Sequence, residues 1–566
     1  MSATPAEGIP RRHDLDALRA FAMLLGIGLH ASLSFTGFPW IVQDIKSSMA
    51  LMFGMLIIHG FRMQLFMVVS GYFTMMLWRK RGLRPLMKQR FQRVLIPCLL
   101  GLATIVPALE YASVLAARIT KDQNAHGVGT AKTASELIEA IRSRDLAGTQ
   151  RRLAEGDDPN AQDVPLRMAT LHWAAISGDA EICRILLEKG SDVDLAAHDG
   201  TTPLHLAVIW GNESVARELI EKGADPNRKN QKQRRPVDFG DLPAATTLRI
   251  FDFLNVPKRE YAAIASGRAA CLEMLLPLTT QGAYDPPATG GPLQWARTTY
   301  ADFLDSDRFL TPWTRHGEPL HLFRTGLFHH LWFLWYLSWL IAGFAVFAVL
   351  TRYLPRLDPR QWNVGPRMLV VSAIALTAMP QAFMGILSPS FGPDTSTGIL
   401  PEPHVLAYYA VFFGFGAILF DKEACLAPWL DRWRGLFLVA FFLALPLALA
   451  AFERPGLTSV PQVVFSWAMV FGMMGLFRSK INGENRTIRY VSDSAYWIYL
   501  AHLPLVVLVQ AYVRPWDVSV ALKFCVVCSV VMAALLLSYR LFVRNSAIGR
   551  LLNGPRKVET RVAEPA

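Results

Sequence analysis

Apolar residues gather in long uninterrupted runs near 15–36, 51–78, 92–116, 327–350, 368–387, 404–420, 434–452, 459–477, 490–512 and 519–543. An α-helix needs ~20 such residues to cross a bilayer. The pattern therefore predicts an all-α, polytopic membrane protein of about ten transmembrane helices. Several runs contain Pro or Gly, which membrane helices tolerate because neighbouring helices satisfy the freed backbone groups.

The pattern changes between the third and fourth runs, over residues 117–326, where apolar positions recur at the spacing of short water-facing helices. TLHWAAISGDAEICRILLEKGSDVD, starting at Thr170, is followed by TPLHLAVIWGNESVARELIEKGADPN, and His172 and His205 lie 33 residues apart. ASELIEAIRSRDLAGTQRRLAEGDDPN reads as a degenerate earlier copy and RRPVDFG as a closing half-repeat. The period and the Thr202–Ala207 match to T-P-L-H-x-A resemble the ankyrin family. Each unit there covers its neighbour's apolar face, and about three are needed for stability. His172 and His205 are then turn-capping residues rather than ligands. Segment 261–280 carries Arg268 and Glu273 and reads as an amphipathic surface helix, not as an eleventh span. The expected organisation is a first membrane part at 1–116, ankyrin repeats at 133–260, an extramembrane linker at 261–325, a second membrane part at 326–545 and a tail at 546–566.

Composition agrees with membrane spans: 52% of residues are hydrophobic and 18% charged, against about 25% charged in soluble domains. The net charge of +12 comes from basic loops between apolar runs, such as RKRGLRPLMKQRFQR at 79–93, so the positive-inside rule accounts for it and no nucleic-acid partner is implied. Basic loops alternate with loops poor in Lys and Arg, such as SPSFGPDTSTGILPEPH. That alternation, and an even number of spans, puts both termini in the cytoplasm and the repeat loop outside. No small-residue cleavage site follows the first apolar run, which is expected to stay as a span. The six cysteines show no zinc spacing and no metal is expected; Cys525 and Cys528 form a C-x-x-C inside an apolar run, and Cys183 is expected to pack in a repeat, with a bond to Cys271 as a lesser alternative.

Ionisable residues inside spans are costly and mark functional sites by default. In the first span Arg19 and His30 are 11 residues apart, within about 20° of one face. The second span holds His59, Arg62 and Gln64 at mid-membrane, with His59 and Arg62 three apart on one face. Arg90 and Arg93 open the third span and make a phosphate-binding pair or a basic anchor. His329 and His330 open the fourth, and Tyr496, Tyr499 and His502 form a stripe in the ninth. Histidines thus gather in the outer half and arginines in the inner half. An imidazole can take a hydroxyl's proton near neutral pH, and arginines can hold an anion, so the pattern suits group transfer across a bilayer. No P-loop, G-x-S-x-G or H-E-x-x-H is present.

Taken in order, LDALRAFAMLLGIGLHASLSF, HGFRMQLFMVVSGYF, RFQRVLIP, HHLWFLWYL, FGPDTSTGILPEPHVLAYYAVFFGFG and YWIYLAHLPLVVLVQ resemble the acyltransferase-3 family of membrane acyltransferases, and within it the glucan biosynthesis protein C branch. The resemblance implies a ten-span fold in a bacterial inner membrane, an acyl-CoA donor entering from the cytoplasm, and a hydroxyl of a periplasmic or surface glycan as acceptor. It implies that His30 is the base and that Arg90 and Arg93 hold CoA phosphates, with Arg19 matching the Arg of the family's first-span pattern. Arg62 and His59 join His30 as catalytic candidates, Arg62 toward the thioester oxygen or a donor carboxylate. His329, His330, Tyr499 and His502 are candidates on the acceptor side. The ankyrin insertion departs from the family pattern and suggests a protein partner outside the membrane, with a grip on the acceptor or a passive spacer as alternatives. The alternatives are a transporter or channel with an ankyrin docking module, and an inactive receptor that kept the fold.

Overall fold

The computed structural model describes residues 12–36, 40–125, 134–163, 167–197, 199–231, 233–240, 242, 247, 259–279, 292–315, 318–385, 391–452, 455–481, 483 and 485–554. The chain divides into two compact units, one of residues 1–36, 46–117 and 297–566, the other of residues 37–45 and 118–296.

Among the described residues of the chain, nine helices are long and apolar enough to cross a membrane: His13–Leu33, Met49–Arg81, Leu83–Gln123, His329–Tyr353, Pro403–Asp421, Trp433–Ala450, Gly456–Lys480, Arg486–Val513 and Val520–Val543. The run expected at 368–387 forms a shorter helix, Pro366–Gln381, of 16 residues. At 1.5 Å per residue it reaches ~24 Å, short of the ~30 Å hydrocarbon core.

In the first unit, helices pack by backbone approach as well as by apolar side chains. A Cβ at Gly71 would run into the carbonyl of Phe413, and one at Gly416 into the carbonyl of Val68. Glycine at both points lets Met49–Arg81 and Pro403–Asp421 lie against each other, the small-residue packing that membrane helices use. At one end of this pair Arg79 bridges Asp358 at 2.7 Å and Asp421 at 2.5 Å, while Arg12 bridges Asp14 at 2.8 Å and Glu423 at 2.7 Å. Elsewhere in the unit, Arg324 joins Asp305 at 2.6 Å and Glu402 at 2.9 Å, beside a short antiparallel pair of strands, Leu310–Arg315 and Glu318–His321. The sequence pattern alone assigns that stretch to the linker.

In the second unit, paired short helices such as Thr170–Ser177 with Ala180–Glu188, and Pro203–Ile209 with Glu213–Glu221, stack their apolar faces. His172 and His205 are fully buried. In each, Nδ1 accepts the N–H of the residue three before it, Ala169 or Thr202, and Nε2–H donates to the next turn's carbonyl, Thr201 or Arg234, at 2.9 Å. The segment expected as an amphipathic surface helix is Tyr261–Leu275, and its buried face, with Ile264, Arg268, Cys271 and Leu275, packs on the repeat stack. Its Arg268 is buried and donates to the carbonyls of Ile209 and Leu242 and to Thr247 Oγ1, while Gly267 meets Gly211 backbone to backbone. Cys183 and Cys271 are both buried and both free thiols, so the lesser alternative of a bond between them is not what forms.

Burial pushes the His172 imidazole down to about 4, and that of His205 down as well. The unfolded chain therefore binds the protons more readily between about 6.5 and 4. The stabilising effect is complete above that window and is lost as pH falls through it, by up to ~3 kcal/mol for His172. Hydrogen exchange of the repeat amides, corrected for intrinsic rates, should show lower protection at about pH 5 than at about pH 7. Equal protection would refute the assignment of these imidazoles as buried, neutral caps.

Candidate active site

Helices His13–Leu33, Met49–Arg81 and Arg486–Val513 meet the turn His329–Leu331 around one cavity. His30, Arg62, His330, Tyr499 and His502 line it, and its volume is about 40 Å³. That admits a reacting group rather than a whole substrate.

The histidines are ordered by helix backbone. Pro504 lacks the N–H that would bond to the carbonyl of Leu500 in a regular helix. His330 supplies the missing donor, its Nε2–H reaching that carbonyl at 2.9 Å. Tyr499 returns the contact by donating its hydroxyl to the His330 carbonyl at 2.7 Å. With Nε2 protonated, His330 carries its lone pair on Nδ1, a buried atom with no hydrogen-bond partner among the described residues. His30 Nδ1 lies 2.9 Å from His502 Nε2, and His502 Nδ1 lies 2.8 Å from the carbonyl of Tyr499.

Arg62 brings a half-buried cation to the same cavity. Its Nη2 reaches the thioether sulfur of Met63 at 3.3 Å, its Nε is buried without a partner, and no carboxylate pairs with it among the described residues. Gly26, one turn before His30, makes room for the guanidinium: a Cβ there would collide with Arg62 Nη1. A buried charge without a counter-ion costs several kcal/mol, and an incoming anion or developing negative charge would offset that cost.

A second cluster joins the arginines. Arg90 donates to Thr74 Oγ1 at 2.9 Å, and the charges of Arg19 and Arg93 act on it; those of Arg19 and Arg81 act on Arg93. The chain bulges into a π-turn at Phe91–Leu95, which carries Arg93. Such turns recur at functional sites. Tyr496 fixes this turn by donating to the Arg93 carbonyl at 2.6 Å. Arg19 lies 3.8 Å from Asp16, whereas neither Arg90 nor Arg93 has a carboxylate partner among the described residues.

Of the residues singled out in the sequence, the structure places His30, Arg62, His330, Tyr499 and His502 around the cavity, and Arg19, Arg90 and Arg93 with Tyr496 in the cationic cluster. His59 stands apart from the cavity, its Nε2 at 3.0 Å from the carbonyl of Pro393. His329 is also outside the lining; its φ of 41° is a left-handed backbone that turns the chain into the helix. Gln64 is buried and donates to the carbonyl of Gly60 and to Tyr408. Sequence reasoning missed Gly26 and Gln510. The second is a polar residue inside an apolar run, two helical turns from His502, and that was its signal.

An acyltransferase domain model, that of acyltransferase family 3, matches residues 12–115 and 275–542. The chain belongs to the acyltransferase-3 family. Ankyrin repeats, in three copies, match residues 137–230. Among curated proteins, the chain is 42% identical over 109 residues to glucans biosynthesis protein C of Escherichia coli (strain K12), covering 19% of this chain and 26% of that one. It is 39% identical over 123 residues to glucans biosynthesis protein C of Salmonella paratyphi B, covering 22% of this chain and 30% of that one. The chain thus aligns with less than a third of the length of these relatives. The chain is thus a multi-pass member of that family by its apolar helices, with an ankyrin-repeat segment.

Proposed function

We propose that the protein is an O-acyltransferase of a bacterial inner membrane, moving an acyl group from cytoplasmic acyl-CoA to a hydroxyl of a periplasmic or surface glycan. The observation that carries this reading is Arg62, a cation with a buried Nε and no carboxylate partner among the described residues, sharing one cavity with His30. The relatives' name speaks of glucans, and that supports a glycan acceptor. His30 Nε2 takes the proton of the acceptor hydroxyl as its oxygen attacks the thioester carbonyl. Arg62 stabilises the negative charge that builds on the carbonyl oxygen. The carbon–sulfur bond then breaks, and the proton on His30 passes to the leaving thiolate. His330 Nδ1, a buried acceptor at the cavity, receives a hydrogen bond from a second hydroxyl of the acceptor.

Arg19, Arg90 and Arg93 hold the donor's phosphates at the cytoplasmic end. The basic loops support that side, with the ankyrin repeats and both ends of the chain placed as the charge alternation implies. An even number of crossings then requires Pro366–Gln381 to span as well, with the bilayer thinned around it. The repeats dock a protein partner outside the membrane.

Mass spectrometry of periplasmic and surface glycans from cells with and without the protein tests the proposal. An acyl mass that appears only with the protein supports it and names the acyl group. Identical glycans refute it. Replacing Arg90 and Arg93 together by Gln should weaken CoA binding at least about 100-fold in a calorimetric titration, since each charge-assisted contact contributes ~1.5–3 kcal/mol. Unchanged affinity would reduce them to topological anchors.

A further inference from the structure

The imidazole of His30 can act as a base only through a nitrogen that carries a lone pair, and its surroundings decide which one that is. His502 Nδ1 faces the carbonyl of Tyr499 at 2.8 Å, and a carbonyl can only accept. His502 Nδ1 is therefore protonated and, in the neutral ring, Nε2 bears the lone pair. That Nε2 lies 2.9 Å from His30 Nδ1. His30 Nδ1 must then be the donor, and the lone pair of His30 falls on Nε2. The carbonyl of Gly26, one turn back on the same helix, is a second hydrogen-bond acceptor for His30.

We infer that His502 is a positioning residue for His30: its Nε2 holds the His30 Nδ1–H, and so directs the basic Nε2 of His30 to the acceptor hydroxyl. This rests on the reading of His30 as general base and adds what sets its tautomer and ring orientation. Serine hydrolases place a carboxylate in the equivalent role. Here a carboxylate would be a poor choice. It would bring a second charge into the bilayer and would pair with Arg62, the cation needed by the reaction. A neutral imidazole accepts the hydrogen bond and leaves that cation uncompensated. When His30 takes the hydroxyl's proton it becomes an imidazolium, and its Nδ1–H bond to His502 becomes charge-assisted and stronger. The gain arises in the transition state, where it speeds the reaction.

Backbone contacts hold the pair in register. Gln510, on the same helix as His502, donates to the carbonyls of His30 at 3.0 Å and Ala31 at 3.2 Å. The two helices are thus joined at the reacting residue by its side chain and by its backbone.

The test uses full-length protein labelled with 15N-histidine in lipid nanodiscs, with His30→Ala identifying the His30 signals. In the wild type, Nδ1 of His30 should be protonated and Nε2 not. His502→Phe keeps a ring but no acceptor; it should give a mixture of His30 tautomers and lower kcat about 100-fold with KM little changed. His502→Gln offers an amide oxygen to His30 and an N–H to the Tyr499 carbonyl, and should restore the tautomer and most of kcat. Should the Phe variant not fold, His502→Asn, whose shorter side chain falls short of His30, takes its place. A His30 tautomer unaltered by removal of the acceptor would overturn the inference, as would a Gln variant with no recovery. If the wild type transfers no acyl group at all, the acyltransferase reading fails, while the 15N spectra still decide the role of His502.

Discussion

Replacing His30 by alanine is expected to cut acyl transfer about 10³-fold while the protein remains folded in the membrane. Loss of a positioned general base typically costs 10²–10⁴-fold. A loss of about 10³-fold is the middle of that range. Donor binding should be unaffected, because the cationic cluster at Arg90 and Arg93 lies on a different stretch of chain from His30. The measurement is acyl incorporation by purified protein at saturating donor and acceptor, with CoA affinity measured in parallel. Wild-type turnover in the alanine variant would remove His30 from the mechanism.

Replacing Arg62 by methionine should separate function from stability by sign. The guanidinium pairs with no carboxylate among the described residues, and its Nε is buried without a partner. Removing an uncompensated buried charge in favour of an apolar side chain of similar length is neutral or stabilising. The thermal midpoint should therefore hold or rise. Turnover should fall about 10²–10³-fold, the usual cost of losing a group that stabilises developing negative charge. A variant that loses activity together with several degrees of stability would mark Arg62 as a packing residue. One that keeps activity would leave the cavity without an electrophilic partner, and the acyl-transfer reading of this site would fall.

Much of the architecture is legible in hydrophobic spacing. Apolar runs of near-membrane length can only be satisfied as lipid-facing helices, because a bare backbone in hydrocarbon must bond within its own segment. The 33-residue return of His172 at His205 is as direct, because each repeat needs the next to cover its apolar face. Spacing is weaker at the margins. Run 368–387 looked like its neighbours, but its helix ends at Gln381, just after Pro380, and the chain turns there. Segment 261–280 reads as an amphipathic surface helix from Arg268 and Glu273, but the spacing does not show that Arg268 turns inward to the carbonyls of Ile209 and Leu242.

Ionisable residues inside apolar runs announced themselves singly: His30, Arg62 and His502 stood out because hydrocarbon penalises them. Their partners did not. Nothing in the local sequence says that His59 meets the carbonyl of Pro393 while His30 meets a second imidazole from a helix more than 470 positions away. Nor does the doublet His329-His330 reveal which member faces the cavity; the missing N–H of Pro504 selects His330. The sequence by itself determined which groups pay to be in the membrane, which helices carry them and which segment repeats. Only the tertiary structure decided which of those groups share a cavity and on which nitrogen each lone pair sits. Helix periodicity sets which face of one helix a side chain occupies, whereas hydrogen-bond partners are set by how separate helices pack.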